Sequence, residues 1–166
     1  MNASINTSMN TSMNMLIDRV KKQDGFDESY YLVHFFGVFD QNLKQEGAWE
    51  IGFYSKKKNI IRTYVCDEVI FSKEAEALKK KGDVIKELCI EKVRIKFDEC
   101  LGKVAEVLRN NYMNDVPIKG FVVLQNLSGS PVWNMSLITK NLKTINVKLN
   151  AENGNVEYHG VIQLKV

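Results

Sequence analysis

Few side chains in this sequence could carry acid–base, nucleophilic or metal chemistry. There are two histidines, His34 and His159, and three cysteines, Cys66, Cys89 and Cys100. A metal site would need both histidines and a carboxylate to meet, and their spacing follows no metal-binding pattern. No nucleophile signature surrounds any cysteine, and there is no CxxC pair. We therefore expect a hydrogen-bonded core His34, a solvated His159 and free, mostly buried thiols.

Adjacent carboxylates are the other candidate acid–base groups. The pairs are Asp27-Glu28, Asp67-Glu68 and Asp98-Glu99. Neighbouring side chains on a strand point to opposite faces, and acidic residues at a helix start stabilise that end, so neither arrangement makes a catalytic dyad. The sequence also lacks the motifs GxGxxG and GxxxxGK[ST] of the common nucleotide-binding loops. It predicts no catalytic residue, no metal site, no cofactor and no enzymatic activity.

Two runs of three lysines are the basic clusters of the sequence. The first occupies a predicted hairpin turn, and the second, residues 79–81, ends a predicted helix. Solvated lysines are the simpler interpretation. The alternative is weak nucleic-acid binding, with lysines on phosphates and tyrosines stacking on bases. The candidate binding residues are Lys56, Lys57, Lys58, Tyr54 and Tyr64.

A small-ligand pocket between sheet and helix is a further alternative, and His34, Trp49 and Trp133 are its candidate residues. Each tryptophan begins an i, i+2, i+4 apolar pattern typical of one face of a strand. Indoles in this pattern are more often part of a core than a platform for a ligand. His34 interrupts a dense apolar strand.

The second half of the chain, residues 92–166, has the clearer pattern. Apolar residues at helical spacing predict a helix that starts near Phe97. Strands are predicted at 119–127, 132–140 and 144–151. The strand at 144–151 alternates, with the apolar Ile145, Val147 and Leu149 on one face. Asn153-Gly154 predicts a hairpin turn into a last strand. In that last strand we expect Val156, Tyr158, Gly160, Ile162, Leu164 and Val166 to face inward.

The first half, residues 13–72, repeats this order less clearly. A short helix at 14–23 precedes strands at 30–39, from Trp49, and at 60–66. Between the halves, residues 73–91 are predicted to be a helical connector, because Ser72 could cap a helix over 72–81 that has glutamates early and lysines late. Residues 1–12 are polar and repetitive, and we expect a disordered lead-in. No signal peptide and no span of about 18 apolar residues is present, so we expect a cytoplasmic protein without membrane contact.

The helix, the Trp-led strand and the Asn-Ala-x-x-Gly hairpin of the second half resemble PepSY and PepSY-like domains. The matching residues are Trp133, Asn150, Ala151, Asn153, Gly154 and Val156, together with the helix start at 95–108. Asn150 and Asn153 stand where that family usually has aspartate and threonine. The first half keeps Trp49 but lacks the hairpin motif. The resemblance implies a non-catalytic module that binds or restrains other proteins, including peptidases.

We therefore predict an α+β fold of two αβββ repeats, each with a helix packed on an antiparallel sheet, in a pseudo-twofold arrangement. The predicted function is non-catalytic binding of a protein partner. A homodimer through strand edges is an additional option. Net charge is +3, which is too mild to indicate a dedicated nucleic-acid binder.

Overall fold

The computed structural model describes residues 9–162, with side chains from Met13 onward. In this range the chain forms two α-helices, one short 3₁₀ turn and eight strands. In chain order they are α1 Met9–Lys21, β1 Tyr31–Asp40, β2 Gln45–Ser55, β3 Ile60–Cys66, β4 Ile70–Glu76, the 3₁₀ turn Ile90–Lys92, α2 Phe97–Asn111, β5 Pro117–Leu127, β6 Ser130–Thr139, β7 Thr144–Asn150 and β8 Val156–Ile162.

All eight strands belong to one sheet, and every pair in it is antiparallel. The strand order is β4-β3-β2-β1-β5-β6-β7-β8, so β1 and β5 are the central pair. In that pair His34 lies opposite Gln125, and Asp40 lies opposite Lys119. Strands β4 and β8 are the two edges. The strands form two groups, β1–β4 and β5–β8. Within each group, consecutive strands are neighbours because short turns favour antiparallel pairing.

The predicted fold class is wrong. We expected two αβββ repeats, each with its own helix-covered sheet in a pseudo-twofold arrangement. Over residues 9–162 the structure instead has one eight-stranded antiparallel sheet and two α-helices, so the sheet dominates. The first half has four strands rather than three, because β4 adds to it, and the second half has β8 as the last strand expected after Asn153-Gly154. The pairing of β1 with β5 joins the groups into one sheet, and no local pattern in either strand specifies that partner.

The helix predicted at 72–81 is also wrong. Its first part is β4, which pairs with β3 so that Phe71 lies opposite Val65 and Ala75 opposite Ile61. The charge order of this segment suits a helix, but pairing satisfies the free main-chain groups along β3, and tertiary context overrides propensity. The connector predicted at 73–91 is therefore not helical, apart from the start of the 3₁₀ turn. Strand β4 also crosses the boundary predicted at residue 72.

Other elements agree more closely with the sequence patterns. Strand β3 has the predicted bounds, and α2, β5, β6 and β7 differ from them by a few residues at most. Helix α1 begins at Met9, so the predicted lead-in is wrong for residues 9–12, and residues 1–8 lie outside the described range.

The predicted inward side of β8 is wrong over the described residues. Tyr158 and Ile162 lie opposite Lys148 and Thr144 of β7, so they are on the side of the sheet away from Ile145 and Val147. Val156, Tyr158 and Ile162 are all exposed. Leu164 and Val166 lie outside the described residues.

Both helices pack against the same face of the sheet, which we call the helix face. Residues Met13, Ile17 and Val20 of α1 and Phe97, Cys100 and Val104 of α2 are buried in one cluster with the alternate residues of the strands. The strand residues in that cluster include Trp49, Ile51, Phe53, Trp133, Met135, Leu137, Ile145, Val147 and Leu149. This alternation confirms the predicted inward sides of β2, β6 and β7.

The other face of the sheet, which we call the open face, has less cover. At one end the chain between β4 and α2 crosses it, where Ala77 packs with Val33 and Tyr54 in a small separate cluster. The Tyr31 hydroxyl donates to the carbonyl oxygen of Ile85 at 2.9 Å in the same region. This segment covers one end of the open face. The side chains in the middle of that face remain half-exposed.

Candidate functional site

The two tryptophans lie on the helix face, on either side of Phe97 in the first turn of α2. The ring centroids of Trp49 and Phe97 are 5.4 Å apart, with an edge-on geometry of 89°. Those of Phe97 and Trp133 are also 5.4 Å apart, tilted by 46°. Trp49 also rests on Gly37 of β1, where a Cβ atom would stand 2.7 Å from its Cζ3. Both indoles therefore belong to the core, as the alternation in sequence indicated.

His34 lies on the opposite side of the sheet from the tryptophans. The His34 ring covers Gly52, the residue opposite it on β2. It lies on the face that also carries Glu50. Burial lowers the pKa of His34, and the carboxylate of Glu50 partly offsets that effect. Because Trp49 points to the helix face, the three residues predicted to form one pocket do not converge.

A cavity of about 620 Å³ lies elsewhere, between α1 and the segment around the 3₁₀ turn. Its lining contains four carboxylates and one lysine: Asp18, Glu28, Glu87, Glu91 and Lys21. Tyr30, Tyr31, Leu32 and Phe53 supply its apolar wall. None of the predicted pocket residues lines it. The sequence did not indicate this site, because its walls come from segments that are distant along the chain.

The predicted stacking tyrosines are not available to bases. Tyr54 and Tyr64 are both buried, and Tyr64 packs on the helix face against Phe26 and Phe53. Lysines contact buried tyrosines instead. Lys58 Nζ donates to the Tyr30 hydroxyl at 3.0 Å.

The second lysine run approaches the first. Lys79 Nζ donates to the Tyr54 hydroxyl at 3.1 Å, while Lys58 belongs to the turn that follows Tyr54. Sequence reasoning missed this proximity because it assigned residues 72–81 to a helix. A prediction of β4 as a strand paired with β3 would have indicated this proximity. In that register Glu76 lies opposite Ile60, so the second lysine run, which follows Glu76, lies near the first, which precedes Ile60.

The cysteines and histidines occupy separate environments. Burial raises the pKa of Cys66 to about 11 and that of Cys100 to about 12, so both remain thiols. Cys89 is exposed, and its Sγ lies 3.2 Å from Glu91 Oε2. His159 is exposed on β8, where its Nδ1 lies 2.9 Å from the Tyr112 hydroxyl. Within residues 9–162 no three or more His, Cys, Asp or Glu side chains are grouped to hold a metal.

The middle of the open face carries apolar side chains from the two central strands. Phe36 and Phe121 have ring centroids 6.2 Å apart and are tilted by 35°. Their cross-strand partners, Val123 and Val38, are half-buried beside them. We call these four residues the apolar patch. Phe121 is 38% exposed although it stands on a central strand, where neighbouring strands lie on both sides.

Charged side chains border the apolar patch on one side, and asparagines border it on the other. Glu50, opposite Phe36 on β2, forms an ion pair with Lys73 of β4 at 3.1 Å. On the other side, Asn146 Nδ2 donates to Asn134 Oδ1 at 2.8 Å and to the carbonyl oxygen of Met135 at 2.9 Å. The patch is therefore an apolar centre with a polar rim, an arrangement common in protein interfaces.

Comparison with known proteins identified one fold relative. The crystal structure of a "putative lipoprotein" from Clostridium difficile 630 is similar over 94% of this chain and 93% of that chain, with a TM-score of 0.57 and 10% sequence identity. At this identity the similarity concerns the fold alone. No protein-family model matches the sequence. No curated protein matches it either. None of the helices in the described residues has the length and apolar character required to cross a membrane.

Proposed function

We propose that this chain is a non-catalytic binding module, similar in role to PepSY-like domains, which binds a protein partner in the cytoplasm through the apolar patch. The single observation that carries the proposal is the contact of Phe36 with Phe121 on the open face, where nothing in the described chain buries them fully. The helices bury one face of this sheet, but nothing comparable in residues 9–162 covers the middle of the open face. An aromatic pair left half-exposed on two central strands gains burial when a partner covers it.

The geometry of the patch suits the centre of an interface. Burial of an aromatic side chain at such a centre often dominates the binding free energy, and its truncation costs roughly 2 kcal/mol or more. The main chain around the patch is already hydrogen-bonded in the β1–β5 ladder, so binding requires no ordering of the sheet. The rim formed by Glu50, Lys73 and Asn134 would restrict the partner to one with complementary polar groups.

The test uses the full-length chain with a photo-crosslinking phenylalanine analogue at position 121. A matched control carries the same analogue at Met113, which is 80% exposed in the loop after α2, away from the patch. A protein that crosslinks from position 121 and not from 113 is then purified. We expect Phe36→Ser and Phe121→Ser to weaken its binding at least tenfold, and Met113→Ser to leave the affinity unchanged. Equal crosslinking from both positions, or unchanged affinity in both patch variants, would contradict the proposal.

Pairing of strand edges is the second way in which this chain could bind protein. β8 exposes Val156, Tyr158, Val161 and Ile162, whereas β4 carries three charged side chains that disfavour pairing, Lys73, Glu74 and Glu76. A homodimer would therefore form through β8. Light scattering after size exclusion tests this arrangement, with Val161→Lys as the disrupting variant and Ala75→Lys on β4 as its control.

A small-ligand function is supported by the cavity beside α1 rather than by the pocket expected around His34. Its carboxylates outnumber its one lysine, so a compact organic cation is the favoured ligand class. Putrescine and spermidine are suitable probes. We expect the thermal midpoint to rise with either amine and the rise to disappear in Glu87→Gln/Glu91→Gln. An unchanged midpoint at millimolar amine would exclude this function.

A further inference from the structure

The turn between β2 and β3 and the segment after β4 form one surface, although they are distant in sequence. The main-chain N–H of Ala77 donates to the carbonyl oxygen of Asn59 at 2.9 Å. The Tyr54 hydroxyl donates to Asn59 Oδ1 at 3.0 Å and accepts from Lys79 Nζ at 3.1 Å. These contacts hold the two lysine runs side by side. We call the surface of residues 56–59 and 77–84 the basic end.

The basic end carries a strong local excess of positive charge. It contains six lysines. The carboxylates within it or next to it in sequence are Asp83 and Glu76, and those of Asp27 and Glu74 lie near enough to Lys58 to raise its pKa. Lys58 and Lys79 are engaged with tyrosine hydroxyls. Among the described residues, the side chains of the other four lysines form no ion pair or hydrogen bond: Lys56, Lys57, Lys80 and Lys81. These four ammonium groups are free to contact an external anion.

Two aliphatic side chains stand in solvent on the same surface. Leu78 is 96% exposed and Val84 is 73% exposed, and they bracket the second lysine run. A phosphate-binding surface for nucleic acid gains nothing from exposed leucine or valine, and its usual stacking groups, here Tyr54 and Tyr64, are buried. Lysines interspersed with exposed aliphatic residues match the interface of a lipid bilayer, where cations contact anionic headgroups and apolar groups enter the acyl boundary.

We propose that the basic end binds the surface of an anionic lipid membrane, with its free lysines on the headgroups and Leu78 and Val84 in the interfacial layer. Such interfacial binding needs surface cations and exposed apolar groups, but no membrane-spanning segment. It revises the expectation of no membrane contact, which followed from the lack of an apolar span. The cytoplasmic leaflet, which is negatively charged, is the matching surface. The basic end shares no residue with the apolar patch, so each surface can be altered without changing the other.

The test measures co-sedimentation of the full-length chain with vesicles. Phosphatidylcholine vesicles with phosphatidylserine are the probe, and pure phosphatidylcholine vesicles are the reference. We expect binding to the anionic vesicles alone, with an affinity that falls as salt is added. Lys80→Gln/Lys81→Gln should weaken binding roughly fivefold for each lysine removed.

The apolar contribution has a matched control in the turn between β6 and β7. Leu142 is 81% exposed and is flanked by Lys140 and Lys143, so it is a comparable leucine at another end of the sheet. We expect Leu78→Ser to weaken vesicle binding severalfold and Leu142→Ser to leave it unchanged. Both side chains are exposed, so neither variant should alter the melting temperature.

Three results would overturn the proposal. The first is no preference for anionic vesicles over neutral ones. The second is an equal effect of Leu78→Ser and Leu142→Ser. The third is binding to a single-stranded oligonucleotide that is tighter than binding to vesicles and insensitive to Leu78→Ser, which would assign the basic end to nucleic acid instead.

Discussion

The indole N–H of Trp133, on β6, donates a hydrogen bond to the main-chain carbonyl oxygen of Ile95 at 2.9 Å. Ile95 lies two residues before α2 begins, and its own N–H donates to the carbonyl oxygen of Ala151. Phe97 then enters the space between the two indoles. The start of α2 is thus attached to the sheet by hydrogen bonds at Ile95 and by the contacts of Phe97 with both indoles, which fix where the helix lies on the sheet.

We expect Trp133→Phe to destabilise the protein more than Trp49→Phe does. Both changes remove the same volume from the core, but the first also removes the only donor identified in the described chain for the Ile95 carbonyl oxygen. Loss of a partner for a partly buried carbonyl costs about 1–3 kcal/mol. Urea unfolding of the two variants measures the difference. Equal free energies of unfolding would show that the hydrogen bond contributes nothing.

Two glycines should respond to alanine in opposite ways. Gly120 on β5 has the Phe39 ring against it, and an added Cβ would stand 2.9 Å from the carbonyl oxygen of Ser136, so Gly120→Ala should cost more than 1 kcal/mol. Gly102 on α2 has open space around it, and Gly102→Ala should stabilise the protein by about 0.5–1 kcal/mol because alanine has the higher helix propensity. Calorimetric melting temperatures should fall for the first variant and rise by about 1–4 °C for the second.

The titration of His34 should affect stability in acid. Burial lowers its pKa below the ordinary value of 6.5, so the unfolded chain binds the proton more readily than the folded chain. The stability that His34 contributes is therefore full above pH 6.5 and is lost as the pH falls through 6.5 toward the folded-state pKa. His34→Gln should flatten this part of the stability–pH curve.

Glu50→Gln provides the complementary test of the same group. The Glu50 carboxylate raises the pKa of His34, so its removal should lower that pKa further. NMR titration of the His34 Cε1–H resonance measures the value directly in both proteins. A His34 pKa at or above 6.5 in the wild type, or a rise in Glu50→Gln, would contradict the assignment of His34 to a desolvated site.

One of the three cysteines should react quickly with a thiol reagent. Cys89 is exposed, whereas Cys66 and Cys100 are buried and have pKa values raised to about 11 and about 12. Reactivity requires an accessible thiolate, so Ellman's reagent at mildly alkaline pH should modify one thiol in a fast phase. Cys89→Ser should remove that phase. Fast modification of two or three thiols in the native protein would show that the core around Cys66 or Cys100 opens readily.

Patterns that depend on near neighbours were sufficient for most single elements. The alternation of Ile145, Val147 and Leu149 predicted the buried side of β7, and the Trp-led patterns predicted that Trp49 and Trp133 belong to the core. In each case the alternation of apolar and polar residues is contained in one strand of about ten residues, so no distant contact is needed to predict the buried side. Resemblance to PepSY-like domains remains a prediction, and the fold relative does not test it.

The sequence by itself determined where helix α2 and most strands form, because hydrophobic period and turn residues act locally. Only the tertiary structure decided the rest. Pairing with β3 made β4 a strand despite its helix-like charge order, and pairing of β1 with β5 made one sheet rather than two. The same pairings brought Phe36 onto Phe121 and Lys79 beside the first lysine run. Such contacts join residues far apart in the chain, and local preferences do not encode which distant strand will satisfy a free edge.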